Sequence, residues 1–351
     1  MTEPWNRYDR TAARRHDRKP RPSGIVIDMH AHMLVETAAT FIRPHLPPDT
    51  RTQFYTEETR LLGRKQDNDR RSNLTDLDLR LADMDAMGID IQIVSPAPGQ
   101  CYYTVPPEMG IAAARMVNDG VAAFTARRPD RLAGLGTVPL QAGGSAAADE
   151  LDRCIRQLGF KGVQILSHVG EREVSDPEFA AFWACAEALG AVVMMHPAGF
   201  TEARRFGRFY FNNVIGNPFD TTMALHYLIF DGVLEHHPNL KLIAVHGGGY
   251  LPAYSGRIDH AWGARSDSHG DLPHPPSMYL KRIYVDAIVF TPHQLEALVK
   301  LLGAGHVLMG TDYPYDMGEY DPLGHLAATT SLDAVSTAMI AGGNARALFG
   351  V

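Results

Sequence analysis

The segment at residues 25–32 ends an apolar strand in two histidines, and it constrains both the fold and the chemistry of the chain. Ile25, Val26 and Ile27 are typical of a buried strand, and His30 and His32 follow, two residues apart. Because alternate side chains of a strand point to the same face, both imidazoles are expected to project from one side where the strand ends. Two histidines in this arrangement can bind a divalent metal, but a single His-x-His pattern is weak evidence and needs support from other strands.

The composition is that of a globular protein with a large core, since 45% of the 351 residues are hydrophobic and 21% are charged. A net charge of −7 argues against nucleic acid as a partner, because a phosphate backbone requires a basic surface. No apolar run is long enough to cross a bilayer, so we expect no membrane partner. Cys101, Cys154 and Cys185 form no CxxC motif and no even set, which favours unpaired side chains in a reducing cytoplasm.

The chain divides into an N-terminal arm and one domain. Residues 1–23 are rich in arginine and contain no apolar signal segment, so we expect an arm there. From residue 24 to residue 351, short apolar runs alternate with helical patterns in a single domain. A polar stretch over about 33–73 interrupts this rhythm, and its prolines Pro44, Pro47 and Pro48 predict a loop-rich insertion after the first strand.

Eight strands are predicted, each followed by helical sequence. After the first strand, strands are predicted at residues 91–94, 135–138, 162–166, 191–195, 241–245, 283–285 and 307–309. Helices are predicted from 75 or 76 to 88 and at 107–127, 146–158, 177–189, 220–235, 250–264 and 292–302. Strands that alternate with helices form a parallel sheet, and eight repeats close it. The predicted fold class is therefore α/β, as a (β/α)8 TIM barrel.

Polar side chains follow four of the predicted strands, at the edge where barrel enzymes place their active sites. His30 and His32 end the first strand, His196 the fifth, His246 the sixth and Asp312 the eighth. Three of the imidazoles and the carboxylate suit Zn²⁺, and they also tolerate Mn²⁺, Fe²⁺ or Co²⁺. His246 is interpreted as a proton-transfer group beside the metal, with a role as fifth ligand left open, and Asp312 can both bind metal and move a proton.

The chain resembles the amidohydrolase superfamily, in its branch of metal-dependent decarboxylases typified by aminocarboxymuconate semialdehyde decarboxylase. The motifs that carry the resemblance are Ile-Asp-Met-His-Ala-His at 27–32, Val-Pro-Leu-Gln at 138–141, Gly-Val-Gln-Ile at 162–165, His-Pro at 196–197, His-Gly-Gly-Gly at 246–249, Pro-Pro-Ser-x-Tyr at 275–279 and Thr-Asp-Tyr-Pro at 311–314. The resemblance implies a zinc-type site made by His30, His32, His196 and Asp312, with His246 as the acid/base group.

Substrate-binding arginines are also implied by the resemblance. The arginine that matches Arg257 binds a substrate carboxylate from the neighbouring subunit, which implies a homodimer with Arg257 crossing the interface. A guanidinium suits this role because its two parallel N–H groups fit a carboxylate. A second arginine is expected in the insertion, where Arg70 and Arg71 are both candidates.

The pocket departs from that of the resembled decarboxylase, so a different substrate is expected. Phe200 and Asn213 stand near positions where the resembled enzyme has tryptophans, and Tyr315 stands where it has a phenylalanine. His168 follows the fourth strand, and it is a further candidate for substrate contact.

The function predicted from the sequence is removal of CO2 from a small unsaturated or aromatic carboxylic acid, without an organic cofactor. Hydrolysis or hydration of a related compound is the rival enzymatic interpretation, because a metal-bound water can also attack a carbonyl or add to a double bond. A hydrolytic relative often has a carboxylated lysine that bridges two metals, and the strand at 162–166 lacks a lysine, which favours one metal. A ligand-binding barrel without activity would have lost metal ligands, and none is missing.

Overall fold

The computed structural model describes residues 21–48, 52–201 and 203–351, and parallel strands alternate with helices throughout this part of the chain. Most of the N-terminal arm predicted at 1–23 therefore lies outside the described residues. The strands are β1 (Ile27–Met33), β2 (Ile91–Pro96), β3 (Leu132–Gly134), β4 (Gly136–Thr137), β5 (Gly162–Leu166), β6 (His168–Val169), β7 (Arg172–Glu173), β8 (Val192–His196), β9 (Lys241–Ala244), β10 (Tyr284–Asp286) and β11 (Val307–Leu308).

Helices cover the outside of the sheet. They are α1 (Glu36–Ile42), α2 (Glu57–Thr75), α3 (Leu77–Met87), α4 (Pro107–Thr125), α5 (Gly144–Arg156), α6 (Ala180–Ala188), α7 (Asn217–Phe230), α8 (Val233–His236), α9 (Leu251–Ala264), α10 (Ser266–His269), α11 (Pro276–Leu280), α12 (Pro292–Leu302), α13 (Pro322–Ala328), α14 (Ala334–Ala338) and α15 (Asn344–Phe349). Within the described residues, no helix is both long and apolar enough to span a bilayer.

The predicted barrel is confirmed. Parallel pairing runs in the order β1-β2-β3 and β4-β5-β8-β9-β10-β11. The strands β3 and β4 are consecutive parts of one barrel position, which gives eight positions. The barrel closes where the Met29 amide donates to the Met309 carbonyl at 3.0 Å and Ala31 bridges Tyr313. The strands β6 and β7 form a separate antiparallel hairpin.

The prediction of a loop-rich insertion at 33–73 is wrong, because most of this segment is helical. It contains α1 and most of α2, and the prolines lie in or just after a short 3-10 turn, Arg43–His45. Helix α2 begins at a cap in which the Thr56 side chain accepts the Thr59 amide, and Glu57 and Glu58 occupy its first turn. Acidic side chains in the first turn interact favourably with the positive N-terminal end of the helix dipole and so stabilise the helix. Because the sequence of α2 is polar, it lacks the apolar periodicity that would have predicted a helix.

Strand β1 changes face halfway along its length. Ile27 and Met29 belong to the apolar cluster inside the barrel, whereas Ala31 and Met33 pack in the cluster shared with the outer helices. The change coincides with a shift in the β1-β2 register between Asp28 and Ala31. Such a bulge re-aims the side chains that follow it.

Strand β8 keeps regular alternation. Val192 and Met194 fill the barrel interior, and Val193 and Met195 pack outward. His196 continues the inward series and ends the strand. The same rim of the barrel therefore receives histidines from β1 and β8.

Candidate active site

Four histidines and one aspartate meet at the rim formed by the carboxyl ends of the strands. His30 and His32 belong to β1, and His196 ends β8. His246 lies in a short helical turn, Val245–Gly248, directly after β9, and Asp312 follows β11. This set of five side chains is called the metal cluster below.

The donor atoms of the metal cluster lie close together. The Nε2 atoms of His30 and His32 are 3.0 Å apart, and His32 Nε2 is 3.1 Å from Asp312 Oδ1. His246 Nε2 is 3.5 Å from Asp312 Oδ2. Ligand atoms of His30, His196, His246 and Asp312 all lie within 4.8 Å of one another. The structure thus brings together every predicted metal ligand and adds His246 to the same group.

Hydrogen bonds on the far side of three rings leave Nε2 directed into the cluster. His30 Nδ1 donates to Asp286 at 2.8 Å, and His32 Nδ1 donates to the Pro96 carbonyl at 3.1 Å. His196 Nδ1 donates to the carbonyl of the next residue. Since Nδ1 carries the proton in these tautomers, Nε2 presents a lone pair. In the described part of the chain, the buried Nε2 of His196 has no hydrogen-bond partner, which fits a metal ligand.

The electrostatics of the cluster favour a positive charge at its centre. Burial would raise the pKa of the Asp312 carboxyl, but His30, His246 and His32 hold this pKa well below its usual value. Burial and the neighbouring imidazoles hold the pKa of His196 well below its usual value. A carboxylate and a neutral imidazole are both suitable donors for a divalent cation.

Asp286 was missed by the sequence analysis, although it ends β10 as the other polar residues end their strands. Its Oδ2 accepts from His30 Nδ1, and its Oδ1 accepts the amides of Gly247 at 2.9 Å and Ile288 at 3.2 Å. Burial opposes ionisation, but the hydrogen bond from His30 lowers the pKa of this carboxyl below its usual value. Asp286 therefore connects a predicted metal ligand to the turn that contains His246.

A second buried carboxylate supports the cluster from below. Asp28 accepts the His30 amide at 3.1 Å, Gln92 Nε2 at 2.8 Å and Thr311 Oγ1 at 2.6 Å. Burial raises the pKa of Asp28 to about 6, despite these hydrogen bonds. Buried Arg80 donates to Gln92 Oε1 at 2.6 Å and so joins α3 to this network. The network therefore holds β1 and the segment that follows β11 in position beside the metal cluster.

Two of the cluster residues have left-handed backbone conformations. The φ angle is 55° at His246 and 56° at Asp312, a region that non-glycine residues seldom occupy. Gly247 has a φ of 64°, and a Cβ there would lie 2.5 Å from a methyl group of Val289. Strain of this kind is concentrated at functional sites, where the surrounding structure holds it in place.

A cavity of about 360 Å³ opens beside the cluster and reaches His196, His246 and Asp312. Its other lining residues are Tyr55, Asp67, Arg70, Pro98, Gly99, Pro197, Ala198, Gly199, Tyr210, Asn212, Asn213, Asn217, Tyr315, Asp316 and Met317. Of the predicted substrate residues, Arg70, Asn213 and Tyr315 therefore lie at the cavity. The polar lining residues that the sequence analysis missed do not end strands: they are Tyr55, Asp67, Tyr210, Asn212, Asn217 and Asp316.

Four other predicted substrate residues do not line this cavity. Arg71 is exposed and pairs with Glu36 at 2.7 Å, so Arg70 is the arginine of the two that faces the cavity. Phe200 instead packs against Phe206 and Phe219, with ring centroids 5.8 and 5.1 Å apart.

His168 lies in the β6-β7 hairpin, where its Nδ1 donates to the Gly170 carbonyl at 3.0 Å. Arg257 is exposed on α9 and does not reach the cavity of its own chain. Its predicted role requires a second subunit.

Comparison with known proteins gives consistent results. The amidohydrolase family model matches residues 27–351. The chain is 34% identical over 281 residues to 2-amino-3-carboxymuconate-6-semialdehyde decarboxylase of Dictyostelium discoideum, covering 80% of this chain and 78% of that protein. It is 30% identical over 266 residues to γ-resorcylate decarboxylase of Rhodococcus jostii strain RHA1, covering 68% of this chain and 77% of that protein.

A solved structure shares the fold over nearly its whole length. The 5-carboxyvanillate decarboxylase of Sphingomonas paucimobilis aligns with a TM-score of 0.82 and 25% identity, covering 93% of this chain and 99% of that chain.

Proposed function

Because the chain belongs to the amidohydrolase family, we propose that it is a metal-dependent decarboxylase of a small unsaturated or aromatic carboxylic acid. The observation that carries this proposal is the metal cluster, in which His196 and His246 lie beside a cavity lined by polar groups. Within the described residues, the buried His196 Nε2 has no hydrogen-bond partner. The relatives support the same reaction class, since each is named as a decarboxylase. No organic cofactor is required in this proposal.

His30, His32, His196 and Asp312 would hold one divalent ion, for which we propose zinc, with manganese, iron or cobalt as alternatives. The ion would supply Lewis-acid stabilisation of substrate oxygens and would lower the pKa of a bound water. Strand β5 ends without the lysine typical of two-metal hydrolases, and its Gln164 instead donates to the Pro96 carbonyl at 3.0 Å. This supports one ion and favours decarboxylation over hydrolysis or hydration.

His246 is the proposed proton donor. Its Nε2 points to Asp312, and the ring borders the cavity with 16% of the side chain exposed. In decarboxylation the bond between the ring or alkene carbon and the carboxylate breaks, CO2 leaves, and the carbon takes a proton. A histidine at the edge of the cavity can deliver that proton, with Asp312 beside it to stabilise the imidazolium.

A homodimer is part of the proposal. Apolar side chains are exposed around the start of α9, including Tyr250, Tyr254, Val214 and Phe219. The Tyr250 hydroxyl donates to the Val214 carbonyl at 3.3 Å, so these two exposed residues are adjacent, and an exposed apolar surface is typical of an interface. Arg257 lies three residues after Tyr254 on α9, and it would reach the partner's cavity to bind the substrate carboxylate.

We propose the cytoplasm as the location of the protein. Free cysteines such as buried Cys101 and Cys154 are compatible with this reducing compartment.

Incubation of zinc-loaded protein with a panel of hydroxybenzoates, aminobenzoates and muconate-type acids tests the reaction. Headspace CO2 and the products are recorded together, and the His246→Ala protein is the control. We expect CO2 and the decarboxylated product in equal amounts. Products that have gained water without CO2 release would replace the decarboxylase with a hydrolase or hydratase.

A further inference from the structure

One wall of the cavity carries a charge arrangement that the reaction itself does not explain. Arg70 Nη2 lies 3.5 Å from Asp316 Oδ1, and Nη1 lies 3.8 Å from Asp67 Oδ1. The guanidinium carbon is 5.1 Å from the centre of the Tyr315 ring. We call Arg70, Asp67, Asp316 and Tyr315 the Arg70 wall.

Within this wall, the carboxylates of Asp67 and Asp316 offset the charge of Arg70. Its side chain is only 9% exposed, whereas that of Asp316 is 23% exposed and that of Asp67 is 75% exposed. Two carboxylates and one guanidinium leave a net negative charge on the wall. A second substrate carboxylate would have to compete with Asp316 for Arg70 and would meet two like charges.

The opposite end of the cavity is formed by the metal cluster. A divalent ion bound there would act as a Lewis acid toward a substrate carboxylate, even though Asp312, together with buried Asp286 behind His30, offsets its charge. Tyr315 lies between the two ends, because its ring centre is 5.3 Å from that of His32 and 5.1 Å from the guanidinium carbon of Arg70. A substrate with one carboxylate is therefore oriented with that group toward the metal cluster.

Asp316 retains capacity to accept a hydrogen bond from a ligand. The Tyr210 hydroxyl donates to Asp316 Oδ1 at 3.5 Å, and Arg70 contacts the same oxygen. Burial raises the pKa of Tyr210, so its hydroxyl stays protonated as a donor at neutral pH. A carboxylate has about four acceptor sites, and these contacts occupy one of its two oxygens.

We propose that the Arg70 wall selects substrates that present a hydroxyl or amino group at the end remote from the reacting carboxylate, and that it excludes a second carboxylate there. Asp316 is the specificity-determining residue, and Arg70 is a positioning residue that holds it. This inference rests on the proposed function and deepens it.

The test uses benzoates that carry a hydroxyl, an amino group or a carboxylate at the same ring position. For the wild-type protein, kcat/KM for the hydroxyl or amino compound should exceed that for the diacid by about tenfold or more, the usual size of one charge-assisted contact. Asp316→Asn should lower this ratio of kcat/KM values about tenfold, mainly by raising KM for the hydroxyl or amino compound. Asp69→Asn is the control, because Asp69 is an exposed carboxylate on α2, one residue before Arg70, and lies outside the cavity lining.

Equilibrium binding separates this inference from the proposed function. If no compound is decarboxylated, the proposed function fails, and calorimetric dissociation constants for the same series then test the wall directly. An order of affinity that favours the hydroxyl or amino compound and is lost in Asp316→Asn supports the inference. Preference for the diacid, or a ratio that Asp316→Asn leaves unchanged, overturns it whether or not turnover occurs.

Discussion

The imidazole of His30 donates from Nδ1 to a carboxylate oxygen of Asp286 at 2.8 Å, and both side chains are fully buried. The other oxygen of Asp286 accepts the Gly247 amide, one residue after His246. One carboxylate thus sets the tautomer of a proposed metal ligand and the backbone of the proposed acid. A carboxylate behind a metal-binding histidine typically contributes 10–100-fold to metal affinity.

Asp286→Asn should weaken metal binding by roughly 10–100-fold. The amide oxygen of asparagine is required by the two backbone amides, so its NH2 group would face His30 Nδ1 and move the imidazole proton to Nε2. Competition with a chromophoric chelator measures the effect. Asp271→Asn, an exposed carboxylate, should retain wild-type affinity. Equal affinities in the two variants would show that Asp286 does not orient His30.

His196→Ala should remove both the bound metal and the activity, because it deletes a proposed metal ligand whose buried Nε2 has no hydrogen-bond partner in the described part of the chain. Elemental analysis of purified protein and CO2 release are the two measurements. His260→Ala is the control, since that histidine is exposed on α9. Unchanged turnover after complete removal of metal by a chelator would contradict the assignment.

His246→Ala should retain most of the metal and lose about 10²–10⁴-fold in kcat, the range typical of a general acid–base group. Metal content and kcat are measured on the same sample. Loss of metal as severe as in His196→Ala would instead make His246 a ligand, a role that its place in the cluster also permits.

Arg257→Ala should raise KM by roughly tenfold or more and leave the metal in place, since a charge-assisted contact contributes about 1.5–3 kcal/mol. Arg257→Lys should restore little, because an ammonium cannot form two parallel hydrogen bonds with a carboxylate. Steady-state kinetics and metal analysis measure both effects.

The proposed position of Arg257 across a dimer interface has its own test. Mixing Arg257→Ala chains with His246→Ala chains should restore activity, because one of the two sites in each mixed dimer then has both side chains intact. Native mass spectrometry checks that mixed dimers form. Mixed dimers no more active than either parent would place Arg257 in its own subunit's site or outside catalysis.

The barrel and the metal cluster were predictable because both are encoded locally. An apolar run followed by histidine or aspartate marks the end of a parallel strand, and topology brings such ends to one rim. His30, His32, His196, His246 and Asp312 were all found in this way. The same signal was present at Asp286, but the predicted strand at 283–285 stopped one residue before it.

The cavity wall was less predictable. Phe200 was placed near the substrate by resemblance, but its amide donates to Asn212 Oδ1, its ring packs against Phe219, and it does not line the cavity. Arg70 and Arg71 are adjacent in sequence, and only the three-dimensional direction of α2 distinguishes the buried one from the exposed one. Helix α2 itself has a polar sequence, so neither apolar periodicity nor loop residues indicated its structure.

The register shift gives the two parts of the seven-residue strand β1 different roles. Without it, strict alternation would keep Ile27 and Met29 on one face and turn His30 and His32 toward the outer helices. The residues before the shift therefore serve packing in the barrel interior, and the histidines after it serve the metal cluster. A strand of the same length and composition without this shift would present its histidines on the wrong side of the barrel wall.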